Sequence, residues 1–274
     1  MKIDLSGRTA IVTGSTAGIG RGAAEGLARA GASVIINGRT QARVDEALQQ
    51  MRAAFPQAAI SGIAADLATA EGANAFIAQA PDADILENNV GTAFLRDYNG
   101  IDDIAAIPDE DWLALFQLNV MSGVRLSRAY TPGMVQRGWG RVVFISSESG
   151  VNIPVEMVHY GMTKTAQLAV ARGLAETVSG SGVTVNSVLP GPTLSEGVAD
   201  FMKSMAQGGG TGGEVDLDAA GRAFVAEHRP TSLIGRLATV EEVASMVAYV
   251  CSPAASATSG AALRVDGGVV RSIV

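Results

Sequence analysis

The chain alternates between two hydrophobic periods, and that alternation restricts its fold more than any other feature. Short apolar, β-branched runs read as buried strands: "TAIVT" (9–13), "SVIIN" (33–37), "ISGIAAD" (60–66) and "DILENN" (84–89). "RVVFISS" (141–147), "VTVNSVLP" (183–190) and "LRVDGG" (263–268) continue the series. Between them, segments 18–30, 40–54, 110–137, 155–179 and 239–251 carry helical spacing. Pro108 followed by Asp109, Glu110 and Asp111 marks a helix start, because acidic groups favour the positive end of the helix dipole. Strands alternating with helices build βαβ units. The expected fold is therefore α/β: a doubly wound parallel sheet of about seven strands, helices on both faces, in a single domain over 1–274. Residues 191–235 depart from the alternation, with early prolines and then "QGGGTGG" (207–213). That glycine run follows no strand and opens no helix with a P-loop lysine, so it reads as a substrate loop or lid rather than a phosphate cradle.

Composition narrows the function classes. Of 274 residues, 47% are hydrophobic and 17% charged, which excludes a disordered chain. A net charge of −7 argues against general nucleic-acid binding. No apolar run reaches the roughly eighteen residues needed to span a bilayer, and the start "MKIDLSGRTA" lacks a signal peptide's apolar core. Cys251 is the only cysteine, and His159 and His228 lie far apart, so neither a disulfide nor a metal centre is expected. A cytoplasmic protein with no membrane partner is the expectation.

Two short motifs carry chemistry. "TGSTAGIG" (13–20) follows the first strand and runs directly into a helix. Glycines there let backbone approach a pyrophosphate, whose charge the helix N-terminus favours. "YGMTK" (160–164) places Tyr160 and Lys164 one helical turn apart on one face. Tyrosine ordinarily titrates near pH ~10, and an adjacent cation stabilises its phenolate. Lysine is scarce here: Lys2, Lys164 and Lys203 are the only three among 20 basic residues.

The Thr-Gly-x-x-x-Gly-x-Gly spacing resembles the short-chain dehydrogenase/reductase family, and the resemblance recurs from residue 5 to about 268. It implies a Rossmann-type fold with a nicotinamide dinucleotide at the carboxyl ends of the strands. The implied cofactor contacts are Gly14, Ser15, Ala17, Gly18, Ile19 and Gly20 in the turn, then Asp66 and Leu67 near the adenine. Asn89 and Gly91 would line the cofactor, with Asn88 stabilising the sheet. Pro190, Gly191 and Thr193 would meet the nicotinamide carboxamide.

The same resemblance implies a catalytic tetrad of Asn119, Ser147, Tyr160 and Lys164. Ser147 lies three residues before Gly150 and thirteen before Tyr160, spacings that Ser146 and Ser149 do not satisfy. Tyr160 would be the acid in reduction and the base in oxidation. Lys164 would lower its pKa and bind the nicotinamide ribose, and Ser147 would polarise the carbonyl. Asn119 would support a proton relay to the lysine. His159 points about 100° away from Tyr160, so packing or the substrate rim is expected for it.

Charge selects the cofactor. Gly38 stands where NAD-dependent relatives carry an acid, and Arg39 follows, able to pair with a 2′-phosphate. NADP(H) is thus preferred, with NAD(H) the alternative. The expected activity is hydride transfer between the nicotinamide and a carbonyl or secondary alcohol. A 3-oxoacyl-thioester reductase is the alternative within the family, weakly disfavoured by Asp97, Asp102 and Asp103 in the 92–107 segment. A non-catalytic dinucleotide sensor or scaffold predicts loss of a tetrad member, and none is lost. An epimerase or dehydratase would carry a different glycine spacing. The resemblance also implies a homotetramer, with "VDGGVVRSIV" near an interface. Glu87, in a strand where an apolar residue is usual, has no account from sequence.

Overall fold

Each apolar run does become a strand, and each helical segment covers one of the sheet's two faces. A computed structural model of the chain describes residues 3–93, 95, 104–208 and 215–273. The first half runs β1 (Thr9–Val12), α1 (Gly18–Arg29), β2 (Ser33–Gly38), α2 (Gln41–Ala54), β3 (Ile60–Ala64), α3 (Ala70–Gln79) and β4 (Ile85–Asn88). Then follow α4 (Asp109–Phe116), α5 (Ser122–Arg137), β5 (Gly140–Ile145), α6 (Val158–Thr177) and β6 (Val183–Pro190). After β7 (Thr193–Leu194), α7 (Glu196–Gly208), α8 (Leu217–His228) and β8 (Ala238–Thr239), the chain ends with α9 (Val240–Val250) and β9 (Ala262–Val265).

Seven strands pair in parallel in the order β3-β2-β1-β4-β5-β6-β9. Alternation along each strand sends successive side chains to opposite faces. Val12, Ile36, Ile85, Val143 and Val188 face one core with Leu27, Val247 and Cys251. Ile11, Leu86, Val142, Phe144 and Val185 face the other, with Phe76, Leu126 and Tyr130. The order reverses between β1 and β4, which opens a crevice at their carboxyl ends, the place where such sheets bind ligands.

Three elements differ from the sequence expectation. The 110–137 helix is interrupted: between α4 and α5 a π-helical turn spans Gln117–Met121 and contains the buried Asn119. The 155–179 segment begins as a short 3₁₀ turn over Val155–Met157 before α6. The 191–235 segment is not loop throughout. It holds α7 and α8, which bury Met202, Val225 and Leu237 in a small core of their own. Asp97, Asp102, Asp103 and the glycine-rich 209–213 lie outside the described residues. No described helix is long and apolar enough to cross a membrane.

Glu87 is fully buried in β4 between Val12 and Val143, and neither carboxylate oxygen has a hydrogen-bond partner among the described residues. Burial pushes its pKa well above the usual carboxylate range, so folding favours its protonated form. The unfolded chain ionises it at ordinary carboxylate pKa. A folded pKa above the unfolded one means its contribution to stability is fully present in acid and declines as pH rises. Glu87→Gln is therefore expected to melt progressively above the parent protein as pH increases from about 5 to about 8. Thermal denaturation of both at several pH values checks this. A constant difference would refute it.

Candidate active site

The glycine turn is held from beneath by the side chains of Ser15, Asn37 and Asn89. Gly14 and Gly18 take left-handed φ values of 58° and 59°, where a side chain would be strained. Gly20 is excluded from carrying a side chain for a different reason: its Cβ would lie 2.6 Å from the Gly14 carbonyl and against the Asn89 amide. Asn89 donates from Nδ2 to the carbonyls of Thr13 (3.1 Å) and Gly14 (3.0 Å). The Ser15 hydroxyl donates to the Val12 carbonyl (2.6 Å) and accepts from the Asn37 amide (3.0 Å), so it buttresses the turn from the interior. Asn37 in turn accepts from the Gly14 N–H (3.2 Å) and donates to the carbonyls of Ile63 and Ala65. Ala17, at the N-cap of α1, makes no side-chain cap, which leaves the first N–H groups of that helix open to an anion.

At the second strand's end, a Cβ on Gly38 would meet the Thr16 methyl at 2.6 Å, and the exposed Arg39 follows it. Asp66 accepts from the Ala68 N–H (3.1 Å), while Leu67 is buried in the second core.

The other end of the crevice gathers the tetrad. β5 delivers Ser147, whose hydroxyl accepts from the Ser149 N–H (3.1 Å) and hydrogen-bonds Tyr160. Tyr160 is part-exposed as a residue but its hydroxyl end is enclosed. That burial pushes the phenol up to about 12, with the Ser147 bond easing and the Glu148 charge adding to the shift. Lys164 lies with Nζ 5.5 Å from the Tyr160 ring centroid, and burial brings its pKa down to about 7. Its ammonium donates to the Ile145 carbonyl (2.8 Å) and to Gln167 Oε1 (3.2 Å). Before any ligand binds, then, burial outweighs the expected lowering of the phenol by the lysine, and the lysine itself is poised near neutrality.

Asn119 acts as a knot behind these groups. Its side chain accepts from the Thr92 N–H and donates to the Thr92 carbonyl and the Thr163 hydroxyl, each at 3.0 Å. Thr163 donates to the Tyr160 carbonyl (2.8 Å). Gly91 passes so close that a Cβ would sit 3.1 Å from Asn119 Oδ1 and 3.5 Å from Lys164 Nζ. Gly191 packs within 2.8 Å of the Asp266 backbone by the same measure, and Thr193 donates to the Gly191 carbonyl (2.9 Å).

A cleft of about 630 Å³ reaches from the tetrad to Ile19 at the start of α1, without the glycines of the turn in its lining. Ile19, Asn89, Gly91, Ser147, Tyr160, Lys164, Pro190, Gly191 and Thr193 line it, whereas Asn119, Arg39 and Asp66 do not. His159 is buried with its ring edge-on to Trp112 of α4 at 6.0 Å, and burial lowers its pKa against the opposing pull of Asp111. Packing, not the substrate rim, is its place. Glu148 forms a largely buried ion pair with Arg229 (2.9 Å), tying the segment after α8 to the end of β5. Sequence reasoning passed over Asn37, Thr92, Thr163 and Gln167. Only Gln167 carried a signal, its i+3 spacing from Lys164 on one helix face.

A left-handed glycine turn at an uncapped helix N-terminus, continuous with a tyrosine–lysine–serine cluster, fits a dinucleotide with its reactive ring at Tyr160. The short chain dehydrogenase family profile matches residues 8–206. The chain is 44% identical over 273 residues to an uncharacterized oxidoreductase, YvaG, of Bacillus subtilis, covering 100% of both. It is 32% identical to a D-beta-hydroxybutyrate dehydrogenase of Cupriavidus necator, over 97% of this chain and 99% of that one. Its fold matches a crystal structure of L-sorbose reductase from Gluconobacter frateurii complexed with NADPH and L-sorbose, with TM-score 0.89, 32% identity and 100% of both chains covered. The chain belongs to the short-chain dehydrogenase/reductase family. It is an NAD(P)-dependent oxidoreductase acting on CH–OH groups.

Proposed function

We propose that the chain is an NADP(H)-dependent reductase of small carbonyl compounds, working reversibly on the corresponding secondary alcohols, with Tyr160 as general acid and base. The observation that carries this reading is a cleft that gathers Ser147, Tyr160 and Lys164 with Ile19 at the start of α1 and with Asn89, which braces the glycine turn. The bound nicotinamide supplies or takes up the hydride. Ser147 holds the substrate oxygen by donating to it, and Tyr160 gives that oxygen a proton in reduction and removes it in oxidation. Lys164, charged beside the phenol, stabilises the phenolate that forms and reaches the nicotinamide ribose. Asn119 holds Thr92 and Thr163, and through Thr163 the backbone of Tyr160.

Gly14, Ala17, Gly18, Ile19 and Gly20 would hold the pyrophosphate, with Ser15 and Asn89 bracing them. Asp66 and Leu67 would border the adenine; Gly91, Pro190, Gly191 and Thr193 would border the nicotinamide. The preference for NADP(H) over NAD(H) rests on Gly38 and Arg39. Likeness to the sorbose reductase favours a small hydroxylated ketone over a 3-oxoacyl thioester. Helices α7 and α8 would cover the substrate. In this reading the enzyme is a cytoplasmic homotetramer, and sedimentation showing only monomer would overturn the assembly.

The test is a spectrophotometric panel following oxidation of NADPH, and separately of NADH, with L-sorbose, acetoacetate and an acetoacetyl thioester. Turnover of L-sorbose or acetoacetate with NADPH is expected. Turnover of the thioester alone would transfer the assignment to the acyl-reductase reading.

A further inference from the structure

Gln167 is buried on α6, one turn beyond Lys164, at a position that the tetrad does not include. Its side chain spans two groups. Nε2 donates to the backbone carbonyl of Asn119 at 2.6 Å, and Oε1 accepts from Lys164 Nζ at 3.2 Å. We propose that Gln167 is a positioning residue for the reaction, its amide reaching from the π turn to Lys164 and fixing the ammonium beside Tyr160. This rests on the reading of Tyr160 and Lys164 as the proton-transferring pair.

The chemistry of the two contacts forces the orientation of the amide. A flipped Gln167 would set NH₂ against ammonium and carbonyl against carbonyl, two repulsive pairs in place of two hydrogen bonds. The π turn over Gln117–Met121 shifts the helical bonding register, the Ser122 N–H bonding back to the Gln117 carbonyl, and the Asn119 carbonyl takes a side-chain donor. Gln167 supplies that donor and passes the constraint on. Lys164 has three N–H groups. The Ile145 carbonyl and Gln167 take two, leaving the third for the cleft that Lys164 lines. The end of β5 and α6 thereby meet at Lys164 Nζ, and the Gln167 amide links the π turn to them.

An acceptor on the ammonium stabilises the charged form of Lys164, and the charged form is what stabilises the Tyr160 phenolate. Other described charges that bear on the pair are Glu148, which acts on Tyr160, is bonded to Arg229 and feels Asp266. His159, next to Tyr160 in sequence, is offset by Asp111. None of them contacts Gln167 in the bonds described, so its removal acts through Lys164.

Gln167→Met keeps the length and volume of the side chain and deletes both hydrogen bonds. The carbon-13 NMR shift of lysine-labelled protein, with Lys164 assigned by its loss in Lys164→Met, reads the Lys164 titration with neither cofactor nor substrate present. Gln167→Met is expected to move that titration downward from about 7 by about one pH unit, and Gln167→Asn, too short to span both partners, to move it in the same direction. The pH–rate profile with the fastest carbonyl of the panel should shift likewise. A titration unchanged in either folded variant, whatever happens to the melting temperature, would reduce Gln167 to a space-filling residue and overturn the proposal. So would failure of both variants to fold. Were Tyr160→Phe to retain activity, the acid–base reading itself would fall. An inactive Tyr160→Phe beside a normally titrating Gln167→Met would remove only the role of Gln167.

Discussion

Replacement of Tyr160 by Phe is expected to lower kcat by about 10²–10⁴-fold while leaving dinucleotide affinity within about threefold of the parent. The change deletes one oxygen. The ring stays packed on α6, so the lost group is the one that exchanges a proton with the substrate oxygen and bonds Ser147. Lys164 keeps its bonds to the Ile145 carbonyl and Gln167, and the braces of the glycine turn come from Ser15, Asn37 and Asn89 rather than Tyr160. Affinity and chemistry should therefore separate. With the phenol held protonated up to about 12 before ligands bind, reduction has its proton available throughout the neutral range, whereas oxidation should accelerate as pH rises. Steady-state rates with NADPH, alongside a fluorescence titration of NADPH binding, read the two separately. Appreciable activity in the variant would sink the assignment.

Arg39→Ala is expected to weaken NADPH relative to NADH by about 10–100-fold, the worth of one or two charge-assisted hydrogen bonds to a phosphate. Arg39 is exposed, so part of the effect should fade with added salt. Its neighbour gives the experiment a second arm. An acid at position 38 is the direct route to an NAD-selective site, but a Cβ there would stand 2.6 Å from the Thr16 methyl. Gly38→Asp alone should therefore impair both cofactors, and combining it with Thr16→Ala should restore NADH more than NADPH. Equal loss of NADPH and NADH in Arg39→Ala, measured as kcat/KM for each, would end the case for a 2′-phosphate contact.

What could be read in advance follows from how local each cause is. The glycine turn is specified within eight residues, and the period-two and period-3.6 runs decide strand and helix before any tertiary contact forms. The interruption at Asn119 was not legible: the 110–137 run carries helical spacing throughout, and a π turn depends on contacts beyond it. Helices α7 and α8 were hidden by prolines and glycines around them, since their small core of Met202, Val225 and Leu237 exists only once they pack together. Gln167 was legible only in its i+3 spacing from Lys164, for a related reason. In sequence it is one amide on a long helix, and its partners come from the π turn 48 residues away and from Lys164. Glu87 could be recognised as odd from its strand context, and only its burial without a hydrogen-bond partner among the described residues shows what pushes its pKa upward.

The short pair β7–β8, with Thr193 beside Ala238 and Leu194 beside Thr239, brings the two ends of the α7–α8 excursion to neighbouring points. A segment whose ends already touch behaves as a cassette. The entropy of closing it grows only with the logarithm of its length, roughly 0.6 kcal/mol for each doubling. Residues 195–237 can thus be exchanged for shorter or longer inserts without asking the seven-stranded frame to move. An engineer seeking a new substrate would graft there while keeping Arg229, whose ion pair with Glu148 borders the proton-transfer groups of β5 and α6.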